Sequence, residues 1–230
     1  MKFEHVVVKD LHFDLRPNTS DAQAVKEVVE KHGYTRRFFQ IEQGEHWLDL
    51  GANIGAFSCF AAQKGAKVTA YEAEAKNAAL ADHNIRLNDF EVEVHQQAVV
   101  ADGIAQKTVN LYLSNTDYGQ WRNSLYKTKN RNAVAVEAVR ISDLLPNVDA
   151  IKMDIEGAEI DILFSIADFQ AVRKLVFEYH FDVNRSIPLF MQIVGRLKTM
   201  FQHVHHPTYQ AGVTEHTFFP PAAIVFCWND

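Results

Sequence analysis

Two short apolar stretches end in side chains able to hold or move protons. Residues 150–153 lead into Asp154 and Glu156, and residues 174–179 carry Glu178 and lead to His180. In an extended strand, i, i+2 spacing puts both members of each pair on one face. Parallel neighbours lie about 4.8 Å apart, so adjacent strands would bring all four groups to one bound hydroxyl. Two chemistries fit. In the first, an acid orients His180 as a general base, the unperturbed imidazole pKa of about 6.5 being near working pH. In the second, Asp154, Glu178 and His180 hold Mg²⁺ or Mn²⁺, which acidifies the hydroxyl. Neither strand end has an adjacent acid pair such as Asp-Asp, which favours the version with no metal. The structural alternatives are a helix N-terminal charge for Asp154, since Gly157 opens the next helix, and scaffold roles for Glu156 and Glu159.

A second set of residues suits a ligand that meets the backbone closely. Asp49-Leu50-Gly51-Ala52-Asn53-Ile54-Gly55 lies where a strand turns into a helix, and the glycines let a ligand approach. The helix beginning there presents free N–H groups and a positive dipole end, which suit a carboxylate as well as a phosphate. A dinucleotide fits less well. Its fingerprint has a glycine where this chain has Asn53, and the charge of Asp49 would repel a diphosphate while helping to hold a sulfonium or ammonium group. Glu72, at the end of the next strand, is placed to accept both hydroxyls of a ribose. The alternative is a tight turn of the kind any α/β protein uses.

These residues need a sheet to hold them. From residue 46 the chain alternates short apolar runs (47–50, 67–71, 91–99, 150–153, 174–179) with helical stretches (56–64, 76–87, 158–169, 188–201), the pattern of a doubly wound parallel α/β sheet. Residues 103–145 break the rhythm. Two alternating runs there, 108–113 and 133–141, predict an antiparallel hairpin inserted before the fourth parallel strand, with Tyr118, Trp121, Asn123 and Ser124 in its loop. Residues 1–40 form an N-terminal extension: a hairpin over 3–8 and 11–15, then a helix with capping-box spacing at Ser20 and Gln23, ending near Gly33 and packing on the sheet or over its ligand. Residues 201–206 and 222–228 close the fold.

The 230 residues suit a single domain over 1–230, and 47% apolar residues allow a sizeable core. With 23 Lys and Arg against 29 acids and a net charge of -6, the chain lacks the clustered cations of a nucleic-acid binder. The two cysteines, Cys59 and Cys227, have no metal spacing and are expected to be buried free thiols. His203, His205 and His206 lack an acid or cysteine at ligand spacing, so no metal is expected there. With no apolar leader and no long apolar run, the chain is expected to be cytoplasmic, without a membrane partner.

The motifs then converge on one resemblance. Residues 48–55, Tyr71-Glu72-Ala73, Gln97-Ala98-Val99, Asn123-Ser124-Leu125 and above all Ile151-Lys152-Met153-Asp154-Ile155-Glu156-Gly157-Ala158-Glu159 resemble the FkbM-type methyltransferases. That family lies within the S-adenosylmethionine-dependent enzymes built on a seven-stranded sheet, and the likeness spans roughly residues 40–180. It implies that Asp49, Gly51, Asn53 and Gly55 hold the methionine part of S-adenosylmethionine, Glu72 the ribose, and Gln97 the adenine side. It also implies O-methylation of a sugar, glycan or polyketide-type hydroxyl. The strand-end placement makes Asp154, Glu178 and His180 the catalytic candidates, and the inserted loop with Trp121, Asn123 and Ser124 either covers the acceptor or packs on the domain. Glu-Ala-Glu at 72–74 departs from the family, where a proline often follows the acid. Two other functions stay in play. An RNA ribose 2′-O-methyltransferase would use Lys152, Asp154, Lys174 and Glu178 but would need a basic surface, and a non-catalytic S-adenosylmethionine-binding module would not need the acid–histidine set.

Overall fold

The computed structural model describes residues 3–114, 123–127, 131–181, 186–206 and 222–230, so Tyr118 and Trp121 lie outside the described residues. A seven-stranded sheet organises the chain. Its strands are β3 (His46–Leu50), β4 (Lys67–Tyr71), β5 (Glu93–His95), β9 (Ala150–Met153), β10 (Lys174–His180), β11 (His203–His205) and β12 (Ala222–Trp228). They lie in the order β11-β12-β10-β9-β3-β4-β5, with β12 antiparallel to both its neighbours. From β3 the chain steps outward through β4 and β5, then returns to the other side of β3 as β9. The reversal opens a crevice beyond the carboxyl ends of β3 and β9, where ligands of such sheets sit.

The predicted strands β3, β4, β9 and β10 hold because buried parallel strands read as continuous apolar runs. All four residues of β9 are buried, Lys152 included. One face of the sheet packs on α4 (Glu159–Ser165) and α5 (Ile187–Leu197) through Ile162, Phe177, Phe190 and Ile193. The other packs on α2 (Ala56–Gln63) and α3 (Ala75–Leu87) through Trp47, Phe57, Leu80 and Val176. The expected third strand over 91–99 is instead two strands. β5 ends at His95, and β6 (Ala98–Val100) joins a separate three-stranded sheet, parallel to β8 (Asn132–Arg140), which pairs antiparallel with β7 (Thr108–Leu113). Buried Ala98 and Val100 pack into the second sheet's core with Leu111 and Val136, while Val99 between them joins the core of the main sheet. α4 and α5 end earlier than expected, at Ser165 and Leu197.

In the N-terminal extension, β1 (Glu4–Val8) and β2 (Leu11–Leu15) form the expected hairpin, with Lys9 and Asp10 both at positive φ in its two-residue turn. Asn84 of α3 and Asn88 just after it accept from the backbone N–H groups of Asp14 and His12, and Leu11, Phe13 and Leu15 enter the core. The helix that follows is α1 (Asp21–Val25) running into a π-helical turn (Lys26–Glu30). The capping box does not form. Ser20 makes no side-chain cap bond, Gln23 donates to Glu27, and buried Asp21 instead takes two hydrogen bonds from the Arg16 guanidinium.

Candidate active site

The loop after β3 is built by backbone conformation. Gly51, Asn53 and Gly55 all have positive φ. At Gly51 a Cβ would fall 1.8 Å from the carbonyl oxygen of Asp154, so only glycine fits where β3 passes the end of β9. The Asp154 N–H donates to Leu50 O at 2.9 Å, pinning the same two strand ends from the other side. Glu72 fixes the loop from β4: its carboxylate accepts from the backbone N–H groups of Asn53 at 2.8 Å and Glu74 at 2.9 Å. Glu74 then caps α3 by accepting from Asn77 N–H, so the second acid of Glu-Ala-Glu starts the helix. Burial raises the Glu72 pKa to about 7, although the two N–H groups pull it down.

Asp49 is not where the motif suggests. It is fully buried and absent from the cleft wall, accepts from Ser58 Oγ at 2.7 Å, and lies 3.1 Å from the Lys152 ammonium. A neighbouring lysine therefore already answers its charge, and Asp49 supports the loop from behind. Lys152 also donates to Gly51 O at 2.7 Å and lies 5.3 Å from the Tyr34 ring centroid. Burial alone would lower its pKa, but Asp49, Asp154 and Glu178 outweigh that and hold it above the ordinary value.

Both sets of residues line one cleft of about 430 Å³. Gly51, Asn53, Glu72 and Gln97 make one part of its wall, and Asp154, Glu156, Glu178 and His180 another. Gln97 donates to Glu137, and Asn123, also on the wall, accepts from the backbone N–H of Ser114. Ser124 does not line the cleft; it is buried, pairs with Tyr112 through the backbone, and donates its hydroxyl to Glu156 O at 2.7 Å. Its place is behind Glu156, a non-glycine residue held at φ 53.

Potential ligand atoms of Asp154, Glu178 and His180 all lie within 4.8 Å of one another. His180 Nδ1 donates to Glu159 Oε1 at 2.8 Å, while Nε2 faces Asp154 Oδ1 and Glu156 Oε2, each at 3.6 Å. Glu159, fully buried, also accepts from the backbone N–H groups of Gly157 and His180. Burial alone would lower the His180 pKa, but Glu159, Glu156 and Asp154 together hold it well above 6.5. Burial and the neighbouring Asp154 push Glu178 up to about 7, against the pull of His180, Lys152 and Tyr34. The cluster thus gathers carboxylates around a place that favours a cation.

Sequence reasoning missed Tyr34. Its hydroxyl donates to Asp154 Oδ2 at 2.8 Å and approaches Glu178 Oε2 at 3.3 Å, joining the two strand-end acids. The usable signal was the amphipathic helix expected to lie over the ligand: Gln23, Ala24, Glu27, Val28 and Gly33 line the cleft beside Tyr34. The late histidines have other partners, His203 stacking on Trp228, His205 meeting Phe38 and His206 meeting Phe190. Cys59 and Cys227 are buried free thiols. No helix among the described residues is long and apolar enough to cross a membrane.

Comparison with known proteins gives this arrangement a context. No curated protein sequence matches the chain. Among solved structures it is similar to the Pyrococcus abyssi tRNA (uracil-54, C5)-methyltransferase in complex with S-adenosyl-L-homocysteine, at 13% identity and TM-score 0.50 over 99% of this chain and 44% of that one. It thus spans less than half the length of that protein. It is also similar to a SAM-dependent O-methyltransferase from Thermotoga maritima, at 12% identity and TM-score 0.44 over 99% of this chain and 78% of that one. At such identity, likeness concerns the fold, which is that of the class I methyltransferases. Residues 49–205 match the methyltransferase FkbM domain. The chain therefore belongs to the FkbM methyltransferase domain family.

Proposed function

We propose that the chain methylates a hydroxyl oxygen of a small molecule, either a sugar or glycan or a polyketide-type compound. The observation that carries this reading is the convergence of Asp154, Glu178 and His180 on the same cleft as Gly51, Asn53 and Glu72. An alcohol is a weak nucleophile until its proton leaves, so an oxygen acceptor needs such a cluster more than an amine does. S-adenosylmethionine supplies a methyl group on a sulfonium, which an oxygen attacks in line as the carbon–sulfur bond breaks and its electron pair returns to sulfur.

The chain's own residues bind and orient. Gly51, Asn53 and Gly55 shape the loop for the methionine part, the Glu72 carboxylate accepts the ribose hydroxyls, and Gln97 stands on the adenine side. Asn123 lines the acceptor's path, and the hydroxyl proton passes to a carboxylate of the cluster. A cleft of about 430 Å³ suits a small ligand. The net charge of -6 gives little support to an RNA acceptor.

The test is a mass-spectrometric screen of sugars, glycosides and polyketides with S-adenosylmethionine. A product one methyl heavier, with the methyl on oxygen, is expected. Methylation confined to nitrogen or carbon acceptors, or salt-dependent RNA binding with ribose methylation, would replace this reading. Cofactor binding without transfer to any acceptor would favour a non-catalytic module.

A further inference from the structure

We propose that Asp154, Glu178 and His180 form a binding site for one divalent cation of the Mg²⁺ or Mn²⁺ kind, which coordinates the acceptor hydroxyl. The proposal deepens the oxygen-methylation reading and rests on it for the acceptor, though not for the ion. The three side chains offer two carboxylates and an imidazole, with ligand atoms within 4.8 Å of one another. Ligands about 2.1 Å from an octahedral ion stand roughly 3 Å apart when adjacent and 4.2 Å when opposite. The observed 3.6 Å between His180 Nε2 and Asp154 Oδ1 falls between these limits.

The second observation is His180 itself. It is 7% exposed, and Nε2 faces the cluster, with the carboxylate oxygens Asp154 Oδ1 and Glu156 Oε2 each at 3.6 Å. Nδ1 is committed to Glu159. That hydrogen bond fixes the ring's tautomer and aims the other nitrogen at the cluster, the arrangement that carboxylate–histidine pairs give to metals. The acid ligands are held in the same way, since Tyr34 donates to Asp154 and approaches Glu178. Each ligand therefore has an outer partner, and the cleft leaves the remaining positions open to an oxygen acceptor.

Mn²⁺ binding to the full chain, followed by electron paramagnetic resonance and calorimetry without cofactor or acceptor, tests the site. One ion per chain is expected, displaced by Mg²⁺. Asp154→Asn and His180→Ala should each weaken it by about tenfold or more, and Tyr34→Phe by about ten- to a hundredfold, as loss of outer partners does. Circular dichroism checks that each variant is folded, and Asp154→Asn serves if His180→Ala is not. No Mn²⁺ binding at millimolar concentration, or binding indifferent to these substitutions, would overturn the cation site. Intact S-adenosylmethionine binding in the same samples would leave the methyltransferase assignment standing, and metal binding without oxygen methylation would overturn only the acceptor reading.

Discussion

The two walls of the cleft are built in opposite ways. The proposed cofactor wall comes from one continuous loop and one strand end, held by backbone N–H groups on Glu72 and by left-handed residues. The acid wall comes from distant parts of the chain, with Tyr34, Asp154, Glu159 and His180 meeting through side chains. A wall made of backbone tolerates changes at its rim. A wall made of charged side chains fails when any member is removed.

The largest effect should come from the acid wall. Asp154→Asn or His180→Ala should lower turnover by roughly 10²- to 10⁴-fold, the range for lost proton transfer. Calorimetric affinity for S-adenosylmethionine should stay the same. If affinity fell in step with turnover, the two walls would not be separable.

Lys152 stands between the walls, and its removal tests what joins them. Lys152→Met leaves Asp49 buried without its cation and should cost roughly 3–5 kcal/mol by urea unfolding. Adding Asp49→Leu should recover most of that. No recovery in the double variant would mean that Lys152 acts through Gly51 O rather than through Asp49.

The cofactor wall should answer to pH. Glu72→Ala should weaken S-adenosylmethionine by about ten- to a hundredfold, as loss of charge-assisted hydrogen bonds does. Affinity of the native chain should fall as pH drops below about 7, where Glu72 takes up a proton. Stability runs the other way. The folded pKa of about 7 lies above the ordinary 4.5, so the folded state binds the proton more tightly; its advantage is full below 4.5 and lost as pH rises to about 7. Glu72→Gln should therefore raise the melting temperature of the cofactor-free chain above that pH, by at most roughly 3 kcal/mol of stability. An unchanged melting temperature would mean that Glu72 is not buried as described.

Ser124→Ala should do least. Its hydroxyl holds Glu156 O, so about 1 kcal/mol of stability is expected to go, with cofactor affinity intact. A large loss of turnover would bring Ser124 back to the acceptor side.

The same contrast explains what could be read from the residues alone. The loop at 49–55, Glu72 and the strand-end acids were legible because local spacing and continuous apolar runs encode them. Tyr34 was not, since nothing near it in sequence announces partners 120 and 144 residues away. The inward turn of Asp49 escaped notice because its partner, Lys152, sits on another strand within an apolar run. The division of 91–99 into β5 and β6 depends on a second sheet whose core forms only from tertiary contacts. Within the inserted loop, Asn123 lines the cleft, while Ser124 turns away from it.

Gly51 sets a mechanical tolerance. Because the Asp154 carbonyl occupies the space a Cβ would need, the loop after β3 and the end of β9 touch with no spacer between them. With the donor on that loop and the acceptor at that strand end, as proposed, both would share one datum, and a slip of one would carry the other with it. The alignment that in-line transfer demands would then be set when the chain folds, before either ligand arrives.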